Sequence, residues 1–259
     1  MRKITWLVVF LVLAVLFLTF STAAAAATAP GKADAREVVK KMDELYRSSS
    51  SYVLMEMEII TPHWQRSLRM KAWSIGMDQT FIRILDPKKE RGMATLRIEN
   101  EMWNFLPNTN KVMKIPPSMM MGSWMGSDFT NDDLVKEFTL LEDYHFEFTE
   151  VENPEPGILY VKSVPREGLP IVWGHIVSAV REKDYLPVWA KYYDEKGQLM
   201  REIVYNDIKN LGGRVIPAVM ELVPTNKEGQ KTIVRYLEAQ FDINPDKEIF
   251  TLRNLRTAQ

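Results

Sequence analysis

Few residues of this chain have the types and spacing that catalysis or metal binding requires. The three histidines, His63, His145 and His175, lie far apart and form no metal-ligand spacing. The sequence contains no GxSxG nucleophile elbow, no glycine-rich phosphate loop and no HExxH pair. His145 and His175 fall within predicted strands, so we interpret them as structural. Pairing of one of them with a carboxylate stays open as an alternative.

Three carboxylates, Asp128, Asp132 and Asp133, form a cluster with the oxygen ligands that a hard cation prefers. Asp132 and Asp133 also precede a short apolar turn, where such residues cap the first turn of a helix. We favour capping, and we predict no metal and no cofactor. An enzyme acting on an envelope lipid or glycan is kept as a further hypothesis, with Asp128, Asp132 and His145 as its candidate residues.

The acidic cluster belongs to an unusual segment, Ile115–Leu134, which we call the methionine-rich loop. Its prolines and glycines disfavour a regular helix or strand. It nevertheless concentrates methionine and aromatic side chains, which adapt readily to varied apolar partners. We therefore predict that this loop either covers the core of its own domain or closes a ligand cavity. The two interpretations agree if the core beneath the loop is itself a cavity.

The elements around this loop are predicted to be mostly strands. One helix is predicted at Ala33–Arg47, with Asp34 as its cap, and a short helical turn at Asn131–Glu137, capped by Asn131 or Asp132. Turn residues separate the remaining apolar segments, so we expect an antiparallel meander. The predicted strands are Tyr52–Ile60, Gln65–Ile75, Gln79–Leu85, Ala94–Glu99, Glu101–Leu106, Val112–Ile115, Tyr144–Val151, Gly157–Val164, Ile171–Arg181, Pro187–Tyr193, Leu199–Ile208, Val215–Val223 and Lys231–Ile243.

Several of these strands place large apolar side chains on one face. In Val53–Ile59, for example, Val53, Met55 and Met57 share a face and the glutamates share the other. One helix and one loop are small covers for so much apolar sheet. The sheet must therefore curl on itself or leave a cavity.

The N-terminal segment indicates that the protein is exported from the cytoplasm. Arg2 and Lys3 precede a long apolar run, and the alanines Ala23–Ala27 offer cleavage sites, so residues 1–27 have the layout of a secretory signal peptide. An uncleaved membrane anchor is the alternative. We predict a single domain over residues 28–259. The chain has no cysteine, which excludes disulfides and a lipobox, and its net charge of −1 argues against nucleic acid as a partner.

The segment Gly92–Glu137 resembles the signature region of LolA-like proteins, which are often described as outer-membrane lipoprotein-sorting proteins. The resemblance extends over the mature chain and is most specific at Trp103–Leu134, in the order WNFLP, PP and MMGSWMGSDFTNDDL. It implies a mainly β fold: a strongly curved antiparallel sheet of about eleven strands, an incomplete barrel whose mouth is closed by helices or loops. In that superfamily the concave face holds acyl chains during transfer across the periplasm.

The leading hypothesis is therefore a monomeric periplasmic carrier, not an enzyme, that binds acyl chains of lipoproteins or other lipids. Its predicted wall and lid are Trp73, Trp103 and Phe105, and Met119, Met120, Met121, Trp124 and Met125, respectively. Glycines on either side of Trp124 would let the lid swing. The alternative for the wall residues is an ordinary packed core. A second hypothesis is an accessory docking module of an RND-type inner-membrane exporter or of another envelope machine, in which the loop contacts protein. The exporter as partner is implied by the resemblance.

Overall fold

The computed structural model describes residues 34–136, 140–169 and 171–257, with the backbone alone for residues 135 and 136. Thirteen antiparallel strands form one open, curved sheet, as in a half-barrel. The strands are β1 (Ser50–Ile60), β2 (Gln65–Ile75), β3 (Gln79–Asp86), β4 (Ala94–Ile98), β5 (Glu101–Leu106), β6 (Lys111–Lys114), β7 (Tyr144–Phe148), β8 (Ile158–Pro165), β9 (His175–Arg181), β10 (Pro187–Tyr193), β11 (Leu199–Leu211), β12 (Arg214–Pro224) and β13 (Lys231–Phe241).

These strands correspond one for one to the thirteen segments predicted from alternation and turn residues. The mainly β, curved antiparallel fold is confirmed, whereas the count of about eleven strands implied by the family resemblance is too low. The largest shift is in β9, which begins at His175 and not at Ile171, because the residues before it form an irregular loop. Strand limits are less sharply encoded than strand identity, since the flanking residues are themselves apolar.

The order of the strands determines where the methionine-rich loop lies. The first and last strands, β1 and β13, pair in the middle of the sheet, and β6 and β7 form its two edges. Because β6 and β7 follow each other in the sequence, the chain between Lys114 and Tyr144 has to pass from one edge to the other. This passage carries the methionine-rich loop across the concave face of the sheet.

The predicted N-terminal helix is α1 (Ala35–Glu44), which is shorter at both ends than expected. Asp34 caps it as predicted, with its carboxylate accepting a hydrogen bond from the backbone N–H of Arg36 at 3.2 Å. Its apolar side packs on the concave face of β8 and β9, in a cluster of Ala35, Val38, Val39, Val161 and Val180. The helix therefore covers the part of the sheet that lies near β7.

The methionine-rich loop covers the opposite part of the concave face, over β1 to β3. It leads into the short helices α2 (Asp133–Lys136) and α3 (Leu140–Asp143). The predicted capping role of Asn131 is wrong. The side-chain amide of Asn131 instead donates to the carbonyl oxygens of Met119 and Gly122, at 3.0 and 3.2 Å, and so fixes the loop itself.

The hydrogen bonds at the start of α2 come from Thr130 and Asp133. The N–H of Asp133 donates to the hydroxyl of Thr130 at 3.1 Å, and the N–H of Thr130 donates to the Asp133 carboxylate at 2.7 Å. This reciprocal arrangement is that of a capping box. The expectation that an acidic residue serves the start of this helix is thus met by Asp133.

The C-terminal segment, for which no helix is predicted, forms a 3₁₀ turn (Lys247–Phe250) and α4 (Leu252–Leu255). It packs on the convex face of the sheet, where Phe250 and Leu255 join Phe81, Leu96 and Phe105 in one apolar cluster. Arg83 ties it down by donating to the carbonyl oxygens of Asn254, at 2.7 Å, and Thr257. Both faces of this half of the sheet are therefore covered.

The predicted signal peptide, residues 1–27, and the start of the mature domain lie outside the described residues. Within the described part of the chain, every helix is too short or too polar to cross a membrane.

Candidate ligand-binding site

A cavity of about 390 Å³ lies on the concave face, between α1 on one side and the methionine-rich loop on the other. It is within the usual size range of small-molecule sites, roughly 300–1,000 Å³. Strands from both halves of the sheet contribute to its wall, because the sheet curves around it. The cavity is the space that α1 and the loop leave uncovered.

Most of the wall is apolar, and it follows from strand alternation. Val53, Met55 and Met57 of β1 are every second residue, and they face the same side as Met70 and Ala72 of β2. Further apolar lining residues are Ile82, Trp124, Phe129, Leu134, Ile176, Ala190, Ile203, Ile216, Met220 and Val234. Four of the lining side chains named here are methionines, which repack around ligands of varied shape at low cost.

Polar groups line the cavity beside the end of α1. The hydroxyl groups of Ser51 and Ser74 are hydrogen-bonded at 2.7 Å. Asp43, near the end of α1, accepts a hydrogen bond from the guanidinium of Arg47. Burial raises the pKa of Asp43 above its ordinary value, against the opposing effect of Arg47. This part of the wall can hydrate or hydrogen-bond the polar end of a ligand.

A second ion pair lies where the loop meets β11. Nη1 and Nη2 of Arg201 donate to the two carboxylate oxygens of Asp133, at 2.8 and 2.6 Å. The guanidinium also lies over the rings of Trp173 and Tyr192, 4.5 and 4.2 Å from their centroids. Burial alone would lower the pKa of Arg201, but the bonds to Asp133 keep it above its ordinary value. Arg201 and Asp133 both line the cavity.

Sequence reasoning missed Arg201, Trp173 and Tyr192. Arg201 looks like a surface charge in β11, because its neighbours Met200 and Glu202 do not mark its face as buried. The available signal was that Ile203 and Tyr205, two and four residues further along β11, lie on the same face as Arg201.

The methionine-rich loop is held over the cavity by anchors from several strands. Trp124 is 2% exposed, and its indole N–H donates to the hydroxyl of Thr95 at 3.1 Å. Arg66 of β2 donates to the carbonyl oxygen of Met125. Asp128 is buried and is bound to residues of β13 and of the turn before it. The middle of the loop is thus a packed and hydrogen-bonded cover.

The structure separates the predicted site residues into groups. Trp124 lines the cavity, and Trp73 borders it while its ring packs beside Tyr52 and Phe81. Trp103 and Phe105 belong to the cluster on the convex face, under the C-terminal segment. Met120 packs with Met102 and Ile115, and Met125 packs against the cluster around Trp124. Met119 and Met121 are 53% and 44% exposed.

The residues of the enzyme hypothesis are also placed by the structure. The carboxylate of Asp128 accepts hydrogen bonds from Thr232, Gln230 and Lys227. Asp132 lines the cavity, whereas His145 is exposed on edge strand β7. Within residues 34–136, 140–169 and 171–257, no group of three or more acidic or histidine side chains is placed to hold a metal ion.

A family model described as an uncharacterized protein matches residues 76–257. The chain belongs to this family. The matched part begins at the turn between β2 and β3 and runs through α4, so it includes the methionine-rich loop and the strand that carries Arg201. No curated protein matches the sequence.

Solved structures confirm the LolA-like fold. A DUF1329 family protein from Desulfovibrio piger is 21% identical, with a TM-score of 0.77 over 85% of this chain and 97% of that one. A domain from Vibrio parahaemolyticus, described as an outer-membrane lipoprotein-sorting protein, is 19% identical, with a TM-score of 0.74 over 86% and 98%. A LolA superfamily protein from Nitrosomonas europaea is 20% identical, with a TM-score of 0.69 over 86% and 99%.

Proposed function

We propose that this protein is a periplasmic carrier that binds the acyl chains of lipoproteins or other lipids and moves them towards the outer membrane. The observation that carries the proposal is the apolar cavity on the concave face, enclosed by α1 and the methionine-rich loop. The predicted signal peptide supports a periplasmic location. The description of one fold neighbour as an outer-membrane lipoprotein-sorting protein supports the class of cargo.

The energetics favour acyl chains as cargo. An acyl chain has no directional polar groups, so a site for it needs apolar area more than convergent hydrogen bonds. Each buried methylene contributes about 0.8 kcal/mol, and ten would contribute roughly 8 kcal/mol before ordering costs. The methionines Met55, Met57 and Met70 give such a wall the adaptability that a carrier of varied lipids requires. Binding and release, without a chemical step, would complete the function.

A bulky substitution on the cavity wall tests the proposal. Ala72 of β2 faces the cavity, so Ala72→Trp would fill part of it. The neighbouring Lys71 faces the other side of the sheet, so Lys71→Trp adds the same ring outside the cavity. We expect the first variant to lose uptake of a fluorescent fatty-acyl probe and the second to retain it.

Native mass spectrometry of protein purified from cells provides the second measurement, with co-purified lipid expected on the wild type and on Lys71→Trp. A wild-type protein that arrives repeatedly free of lipid and takes up no probe would overturn the carrier function. Equal uptake by wild type and a folded Ala72→Trp variant would move the binding site away from this cavity.

A second candidate function, docking to an RND-type inner-membrane exporter, is favoured by the exposed methionines. Met119 and Met121 project from the loop into solvent and not into the cavity. Methionine is enriched at the centres of protein interfaces. A carrier also needs a donor and an acceptor, so docking and cargo binding are compatible.

The double variant Met119→Ser, Met121→Ser separates the two roles. Retained probe uptake with lost pull-down of an inner-membrane complex would assign the exposed methionines to docking. Loss of probe uptake in a folded variant would instead assign them to the cargo. Met113, which is 42% exposed on β6, offers a control for simple loss of an exposed methionine.

A further inference from the structure

Arg201 is a charged group in the wall of an otherwise largely apolar cavity. Its side chain is 7% exposed, compared with 18% for Asp133, its ion-pair partner. The rings of Trp173 and Tyr192 pack against the guanidinium, with their centroids 4.5 and 4.2 Å from its central carbon. A planar, delocalised cation fixed in this way is suited to bind a carboxylate or a phosphate through two hydrogen bonds.

A buried ion pair is weak evidence of a stabilising role. Removing two charges from water is costly, and apolar residues of similar volume are often as stable or more stable at such positions. The pair at Arg201 and Asp133 also leaves a donor unused, because the Nε–H of Arg201 is buried with no hydrogen-bond partner among the described residues. An oxyanion in the cavity would satisfy this donor.

The two partners differ in what happens when they separate. Asp133 also accepts a hydrogen bond from the N–H of Thr130 at 2.7 Å, and it is partly exposed, so its carboxylate keeps a partner and access to water. Arg201 pairs its charge with Asp133 through two hydrogen bonds, has a further side-chain hydrogen bond with Tyr192, and is nearly sealed from solvent. An anion arriving through the cavity can therefore replace Asp133, whereas a neutral ligand leaves the pair intact.

We propose that Arg201 binds the anionic headgroup of an amphiphile, a carboxylate or a phosphate, in exchange for Asp133. The inference rests on the proposed function, since the acyl chain of that amphiphile occupies the cavity. It narrows the cargo to lipids whose headgroup carries a negative charge next to the chain. It also makes Asp133 a competitor that holds the site when no anionic ligand is present.

Displacement of an uncharged fluorescent probe, N-phenyl-1-naphthylamine, from the delipidated protein tests the inference. Three ligands with the same hydrocarbon chain are compared. Oleate, oleyl phosphate and oleyl alcohol share their hydrocarbon and differ in the headgroup. We expect the wild type to prefer at least one anionic ligand over the alcohol by about tenfold, as a charge-assisted pair allows. Comparison of oleate with oleyl phosphate decides between a carboxylate and a phosphate.

Variants at the pair give opposite expectations. Arg201→Gln should abolish the preference for the anion, whereas Asp133→Asn should strengthen that preference by removing the competitor, so the ratio of anion to alcohol affinity should move in opposite directions in the two variants. The double variant Arg201→Gln, Asp133→Asn carries no buried charge, and it replaces Arg201→Gln if that variant fails to fold. Arg235→Gln is the matched control, because Arg235 pairs with Glu58 and does not line the cavity.

The outcomes separate this inference from the proposed function. If all three ligands displace the probe equally from the wild type, or if both variants weaken all three equally, the pair is structural and the headgroup inference is overturned while the carrier function stands. If the probe and the ligands do not bind at all, the carrier function fails and the inference falls with it.

Discussion

Asp128 and Thr232 hold each other through two reciprocal hydrogen bonds that join the methionine-rich loop to β13. The N–H of Asp128 donates to the hydroxyl of Thr232 at 3.0 Å, and that hydroxyl donates to the Asp128 carboxylate at 2.8 Å. The other carboxylate oxygen accepts from Gln230 at 2.6 Å. The middle of the loop is therefore fixed to the centre of the sheet, and any opening of the cavity has to begin on either side of this point.

Thr232→Val should loosen the loop without changing the volume of the side chain. The variant leaves the Asp128 N–H without its acceptor and removes one donor from the carboxylate, so we expect a loss of about 1–3 kcal/mol in the free energy of unfolding. Urea denaturation measures this loss. Amide hydrogen exchange in the variant should be faster than in the wild type within the loop and should stay unchanged in β8 and β9. Thr109→Val, at an exposed threonine, is the control and should change little. Unchanged exchange in the loop would show that Asp128 is not its anchor.

Trp124 should contribute more to stability than any exposed tryptophan. Trp124→Phe removes the hydrogen bond to Thr95 and leaves unfilled volume beside Met57 and Met70, so we expect a loss of about 1–3 kcal/mol. Trp64 is 48% exposed in the turn between β1 and β2, and Trp64→Phe should stay within about 0.5 kcal/mol of the wild type. Equal effects of the two substitutions in urea denaturation would contradict a packed loop.

The strands could be predicted from the sequence because alternation and turn residues are local signals. The faces of a strand are also local, but which face is concave is not. In β5, Met102 and Asn104 alternate with Trp103 and Phe105, and the sequence favoured the aromatic pair for the cavity wall. The C-terminal segment covers that aromatic face, and its packing of Phe250 on Phe105 joins residues too distant for any local pattern to reveal.

The ion pair between Arg201 and Asp133 could not be predicted from the sequence for the same reason. Arg201 and Asp133 are 68 residues apart, and neither strand alternation in β11 nor capping chemistry at α2 connects them. Only the order of strands, which brings the loop from one edge of the sheet to the other, places Asp133 against β11. Asp133 therefore looked like a capping residue from sequence alone, and it serves both purposes in the fold.

The stability of the protein should depend on pH through Asp43 with a definite sign. Burial raises the pKa of Asp43 in the folded state, so the contribution of this carboxyl is full below its ordinary pKa and is lost as pH rises through the folded-state pKa. Asp43→Asn keeps an acceptor for Arg47 but cannot ionise. The unfolding free energy of the wild type should therefore fall relative to that of Asp43→Asn as pH rises above the ordinary aspartate pKa of about 3.9.

Asp242 serves as a control, because its contribution to stability should change with pH in the opposite direction. Hydrogen bonds from the backbone N–H and the hydroxyl of Ser49, together with Arg214, lower the pKa of Asp242 in the folded state. Its contribution is present above its ordinary pKa and is lost as pH falls. The wild type should thus gain stability relative to Asp242→Asn as pH rises towards the ordinary aspartate pKa of about 3.9 and should keep that gain above it. Parallel profiles for the two variants would contradict the assigned environments.

Substitution of Phe105 tests whether its ring belongs to an acyl-binding wall or to the packed core on the convex face. Its ring is 2% exposed and packs with Phe81, Leu96 and Phe250, so Phe105→Ala should lower the free energy of unfolding by about 3–5 kcal/mol. The ring is separated from the cavity by the sheet itself, so the folded fraction of the variant should bind an acyl probe with the affinity of the wild type. Ala72→Trp should show the reverse, with probe binding lost and most of the stability kept. A loss of probe affinity in folded Phe105→Ala, measured at a temperature well below its melting point, would return Phe105 to the ligand-binding wall that the sequence predicts.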